Sequence, residues 1–255
     1  MPEDESKRKL QEIEAVKIGL GLLCDLVFGL RERVTPKKPE WGSTSDARRM
    51  AFGNLYRPCL TNPVLLFNLI NNLGKEPRLD TFAKLTGLEQ EINNRENALW
   101  DIVLFVLTNT ILMFQFQVEN LFQNLWRELG EQEERSFIKL SEKLLTKLGF
   151  SDVAEKMKRI KTLAYIRNSL HNNGVHNGPD YNFGINTTLT KGDTNVNVDA
   201  SFAFVRDRPV TCCGPMHILG LSAGIIEIVK DVIESEKIRT IPGPIRDRFA
   251  WSEKD

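Results

Sequence analysis

The chain reads as a mainly α protein, a helical bundle that carries one β-hairpin in its C-terminal half, between its last two long helices. Three observations predict this. Long stretches place apolar residues at alternating steps of three and four, the repeat of a helix that buries one face. Residues 181–205 switch to a repeat of two, the signature of strands. A hydrophobic content of 41% over 255 residues supplies the core of one large domain or two small ones.

The first helix is expected over residues 4–34, where Ile13, Val16, Leu20, Leu23, Val27, Leu30 and Val34 form a narrow apolar seam. Gly19, Gly21 and Gly29 weaken its intrinsic propensity, so packing against another helix, internal or in a dimer, has to hold it. Thr35–Pro39 breaks the pattern, and residues up to about Thr61 read as irregular with a short helix near Ser45–Gly53. Pro63–Leu73 and Leu79–Leu85 read as short helices.

A long helix follows from about Glu89 to Leu129, apolar enough to be central and buried on most sides. Asp101, Thr108, Gln115, Glu119 and Gln123 draw one wet stripe along it. Glu119 is the only charge between Asp101 and Arg127, so it needs a partner or a shifted pKa; Arg167 is one candidate partner.

Glu131–Leu148 is expected as an amphipathic helix stopped by Gly149-Phe150, and Ser151 as the N-cap of the next. That helix carries Val153, Met157, Ile160, Ala164 and Leu170 toward the core and Lys156, Lys158, Arg159 and Lys161 on other faces. Strands alternate from Tyr181 to Leu189 and from Val196 to Phe204 across a Lys191-Gly192-Asp193 turn. Gly214-Pro215 opens a last helix over Met216–Ile238, and the tail beyond Pro242 is expected to lie over the surface or fade out.

Charge and cysteine usage exclude several function classes. Lys+Arg and Asp+Glu balance at 34 each, so attraction to phosphate has to be local. The charged N-terminus lacks the apolar run of a secretory signal. The longest uncharged run, Ile102–Val118, is interrupted by polar residues and reads as too short for a membrane span. Cys24, Cys59, Cys212 and Cys213 show no C-x-x-C spacing and read as reduced thiols of a cytoplasmic protein with no membrane partner. With three histidines in the chain no zinc ligand set assembles, so neither a metal nor a cofactor is expected.

The chemistry-bearing stretch is Ile166–Gly178, I-R-N-S-L-H-N-N-G-V-H-N-G. On a helix, Arg167 and His171 stand four residues apart on one face. Asn172, Asn173 and Gly174 then end the helix in the left-handed turn those residues tolerate. An arginine fork holds two phosphate oxygens, and an imidazole takes or gives a proton near neutrality. In RNA the 2′-hydroxyl is a nucleophile already in place. His171 would move its proton or that of the leaving 5′-oxygen, Arg167 would hold the phosphate, and Asn168 would orient either group. His176 and Glu119 are secondary candidates, and Lys156, Arg159 and Lys161 would meet the RNA backbone. A satisfied structural Arg–His pair remains the alternative.

The run Ile166-Arg167-Asn168-Ser169-Leu170-His171-Asn172-Asn173-Gly174, ending a helix, resembles the signature of the HEPN superfamily. That resemblance implies a helical bundle acting as a homodimer, with a metal-independent endoribonuclease site formed by Arg167, Asn168 and His171 across two protomers. It implies a setting in toxin–antitoxin or phage defence, with RNA as substrate and an antitoxin or effector protein as regulator. Residues 89–255 would form the HEPN-like bundle, with the hairpin at about 181–205, and residues 1–88 a helical extension packed on it. The usual motif places four to six residues between Arg and His, whereas Arg167 to His171 encloses three. A catalytically inactive RNA- or nucleotide-binding protein, or a dimeric scaffold, is the reading that this departure keeps open.

Overall fold

A computed structural model gives the fold and describes residues 2–34, 46–73, 95–211 and 214–247. Among the described residues the order is α1 (Pro2–Val34), α2 (Ala47–Leu73), α3 (Arg95–Glu128), α4 (Phe137–Leu148), α5 (Val153–His171), β1 (Val175–His176), β2 (Tyr181–Lys191), β3 (Thr194–Phe204), β4 (Arg208–Pro209), α6 (Pro215–Glu234) and α7 (Glu236–Arg239). The protein is mainly helical with a small antiparallel hairpin, as the periodicities imply. The expected breaks at 35–39, the helix at 79–85, the first turns of the long helix, Cys212 and Cys213, and the tail at Trp251 lie outside the described residues.

The α1 seam is spent inside the chain. Ile13, Val16, Leu20, Leu23, Val27 and Leu30 are all buried, and α1 packs on α2, α6 and the hairpin. Gly19 lets α6 approach: a Cβ there would meet Leu219 Cδ1 at 2.6 Å.

Where irregular chain and short helices were expected, α2 runs unbroken through Pro58 and Pro63. Its buried positions Ala51, Phe52, Leu55, Cys59, Asn62 and Leu66 keep a helical repeat against α1 and α3. An internal proline leaves the carbonyl four residues back without its amide donor. For Pro63 that carbonyl belongs to Cys59, and the Cys24 thiol of α1 donates to it at 2.6 Å. Tertiary contact thus replaces the missing helical bond. Asn62 donates to buried Thr110 of α3, which clasps the two helices together.

The hub of the bundle is α6 rather than α3. Thirteen of its twenty residues are buried, and it touches α1, α3, α5 and both long strands. The long helix α3, expected to be buried on most sides, leaves one flank open, with Phe105 at 70% exposure and Phe116 at 48%. Its segment Ile102–Glu128 is long and apolar enough by composition to cross a membrane, with 44% of the apolar window buried in the protein. That is longer than the uncharged run alone suggests. One side of the same helix packs on α2, α4, α5 and α6.

The hairpin follows the sequence pattern pair by pair. Tyr181 faces Phe204, Phe183 faces Phe202, Ile185 faces Ala200, Thr187 faces Val198 and Leu189 faces Val196. This row lies on α6, where Gly220 leaves room: a Cβ there would stand 2.7 Å from Val198 Cγ1. Gly192, at φ 55°, opens the tight turn. The short β1–β4 pair, not expected from sequence, forms a separate two-stranded sheet.

The tail is also more ordered than expected. Ile245 is fully buried and its carbonyl accepts from Ala47 N at 2.7 Å. Buried Arg48 donates to Asp46 and to the carbonyls of Ile238, Ile241 and Gly243, stapling the C-terminal segment to the start of α2.

Candidate functional site

The site is built at the C-terminal end of α5. A short loop at 131–136, where helix was expected, leads into α4, which Ser136 caps by accepting from Lys139 N. Gly149 ends α4 at φ 86°, the left-handed stop expected there. Asp152, rather than Ser151, then occupies the N-cap of α5 and makes no capping bond. Its carboxylate is turned to Lys156 instead.

At the other end of α5, Asn173 and Gly174 adopt φ of 54° and 80°, and Gly174 N donates to Ser169 O at 2.8 Å. This closes the helix directly after His171, as the Asn-Asn-Gly run implies. Arg167, Asn168 and His171 therefore share the last two turns. His171 and Asn168 are exposed, while Arg167 is half-buried.

Arg167 Nη1 donates to Asn168 Oδ1 at 3.1 Å, and its Nε is buried with no hydrogen-bond partner. Glu119 of α3 is the acid that senses this cation. Burial pushes the Glu119 carboxyl above the usual carboxylate range, against the opposing pulls of the Arg167 charge and the Gln115 side chain. Gln115 is itself buried, with its Oε1 unpartnered. The stripe along α3 thus meets the end of α5 in a half-buried polar cluster of Gln115, Glu119 and Arg167, with His171 one turn further out. Gln115 belongs to this cluster although the chemistry of its side chain alone did not single it out. Its four-residue step to Glu119 was the available signal.

The remaining candidates lie elsewhere. His176 is buried, its Nε2–H donates to Pro179 O at 2.9 Å, and its ring packs on Tyr165 and Phe204. It fills a structural position under the hairpin and does not join Arg167. Lys156 is buried and bridges Asp152 at 2.7 Å and Asp231 at 2.8 Å, so its ammonium is held within the chain. Arg159 lies against the Phe183 ring, 5.8 Å from its centroid. Of the three residues expected to meet RNA, Lys161 alone is neither ion-paired nor set on a ring among the described residues. The basic run is therefore not the open positive approach that the sequence suggests.

The third histidine, His217, donates Nε2–H to Ser201 O at 3.1 Å, and burial lowers its pKa against that bond. Among the described residues no group of three His, Cys, Asp or Glu side chains stands placed to hold a metal ion.

What this arrangement can do chemically is limited and definite. A half-buried arginine can take an anionic oxygen through the part of its guanidinium that reaches solvent, and an exposed imidazole one helical turn away can exchange a proton beside it. Compared with family models, curated proteins and solved structures, the chain matches none.

Proposed function

We propose that the chain is a metal-independent endoribonuclease of the HEPN type, acting as a homodimer in the cytoplasm. The observation that carries the reading is the exposed His171 one turn beyond the half-buried Arg167, whose guanidinium donates to the exposed Asn168. In the reaction the RNA 2′-oxygen attacks phosphorus and the P–O5′ bond breaks, leaving a 2′,3′-cyclic phosphate and a 5′-hydroxyl. One His171 removes the 2′ proton, and the partner copy's equivalent protonates the leaving oxygen. Arg167 holds the phosphoryl oxygens while charge builds on them, Asn168 keeps its fork oriented, and Lys161 meets the backbone. The open flank of α3 at Phe105, Met113 and Phe116 supports the dimer, since it offers apolar surface on the helix that carries Glu119. Toxin–antitoxin or phage defence is the setting that this chemistry fits, with an antitoxin or effector protein as regulator.

A second reading is favoured by the half-buried position of Arg167 beside Glu119. In it the same cluster is a catalytically inactive RNA- or nucleotide-binding element, or part of a dimeric scaffold. Incubation of the protein with a mixed RNA pool in excess EDTA separates the two. Cleavage to fragments with cyclic-phosphate ends supports the nuclease. RNA bound but left intact by the dimer supports the second reading.

A further inference from the structure

The N-terminal half of α5 borders a cleft of about 400 Å³ between α1, α5, α6 and β2, within the range of small-molecule sites. Leu22 and Leu26 of α1, Ile185 and Leu189 of β2, and Ala223 and Ile228 of α6 give it an apolar lining. Charged side chains form its rim, and their pairing is uneven. Asp152 and Asp231 share Lys156 at 2.7 and 2.8 Å, Glu155 holds Lys158 at 2.6 Å, and Glu227 holds Lys230 at 3.6 Å. Arg159 is the one charged lining residue with no carboxylate in ion-pair contact among the described residues. Its guanidinium rests on the Phe183 ring instead.

Two glycines of α6 shape this arrangement. Gly220 brings Ile185 and Val198 of the hairpin down onto the helix, and Gly224 lets the Arg159 side chain cross it. A Cβ at 224 would lie 2.5 Å from Arg159 Cδ and Nε. Thr187 belongs to the inward row of β2 and lines the same cleft.

We infer that this cleft binds an amphipathic monocarboxylate, whose carboxylate is gripped by Arg159 and whose apolar body lies along Leu22, Leu26, Ile185 and Leu189. A single negative charge matches the one guanidinium of the lining that no carboxylate among the described residues pairs directly. The four rim carboxylates oppose a multiply charged polyphosphate more strongly than a single carboxylate, and Arg159 offers an amine no partner. The site sits at the opposite end of α5 from His171 and does not depend on the nuclease reading.

Calorimetric titration of the full chain with octanoate, octanol and octylamine tests the inference without RNA. Octanoate is expected to bind about tenfold or more tightly than either neutral or cationic chain, the value of one charge-assisted grip. Arg159→Leu should abolish that preference while leaving octanol binding unchanged. Gly224→Ala, which displaces the Arg159 shaft without removing the cation, should weaken octanoate in the same direction; circular dichroism checks the fold of both. Equal affinity for octanoate and octanol in the wild type, no binding of octanoate, or an unchanged preference in folded Arg159→Leu would each overturn the inference.

Discussion

The Arg167 charge on α5 acts on the Glu119 carboxyl of α3 without closing a direct ion pair with it, and burial outweighs that attraction. An acid in this position holds its proton more tightly in the folded state than in the unfolded chain. Its contribution to stability is then fully present below the ordinary value of 4.5 and is lost as pH rises through the raised folded value. Urea unfolding of wild type and Glu119→Gln between about pH 4 and about pH 7 reads this directly. The wild type should lose stability relative to the variant as pH rises. Arg167→Ala, which removes the opposing charge, should steepen the loss. Parallel profiles would mean that Glu119 is as well solvated folded as unfolded.

The Arg48–Asp46 staple predicts a large and specific stability effect. Both side chains are fully buried, and Arg48 also satisfies three carbonyls of the C-terminal segment. Arg48→Met strands the Asp46 carboxylate and those carbonyls, and should cost about 3–5 kcal/mol in chemical unfolding. Adding Asp46→Asn should recover part of that loss, because the stranded charge is gone. A cost below about 1 kcal/mol would show the pair to be replaceable.

Cys24 supplies the donor that Pro63 denies to the Cys59 carbonyl. Cys24→Ala should therefore cost about 1 kcal/mol, while Cys24→Ser, which keeps a donor, should cost less. Thermal melts of the two variants decide it, and the reverse order would remove the hydrogen bond from the account.

The glycines of the helices should respond in opposite directions. Gly220→Ala drives a Cβ into Val198 and Ile185 and should destabilise by about 1–3 kcal/mol. Gly21→Ala, with open space around it on α1, should stabilise by about 0.5–1 kcal/mol through propensity alone. Equal effects would mean that the hairpin does not press on α6.

Much of this fold is legible in the sequence where a local pattern decides the outcome. The hairpin register follows from alternation at Tyr181–Leu189 and Val196–Phe204, because one face is buried and a slip of one residue would invert it. The end of α5 follows from Asn173 and Gly174, whose backbones tolerate the left-handed turn. Distant partners decide the rest. The run of α2 through Pro63 depends on a thiol in another helix, and the order of the tail depends on Arg48, which lies 190 residues before Ile238, the first of the carbonyls it holds. At the site, the neighbourhood of Arg167 and His171 and the isolation of Glu119 were readable. The burial of Lys156 was not, since Asp231 sits in α6. Nor was the burial of His176, which depends on Tyr165 and Phe204 closing around it.

The most direct test of the central claim is the initial rate of RNA cleavage in excess EDTA by the wild type, His171→Ala and Arg167→Ala, with folding matched by circular dichroism. The nuclease reading predicts cleavage by the wild type, cyclic-phosphate ends, and a loss of about 10²-fold or more in each variant. Cleavage that persists undiminished in His171→Ala would contradict it.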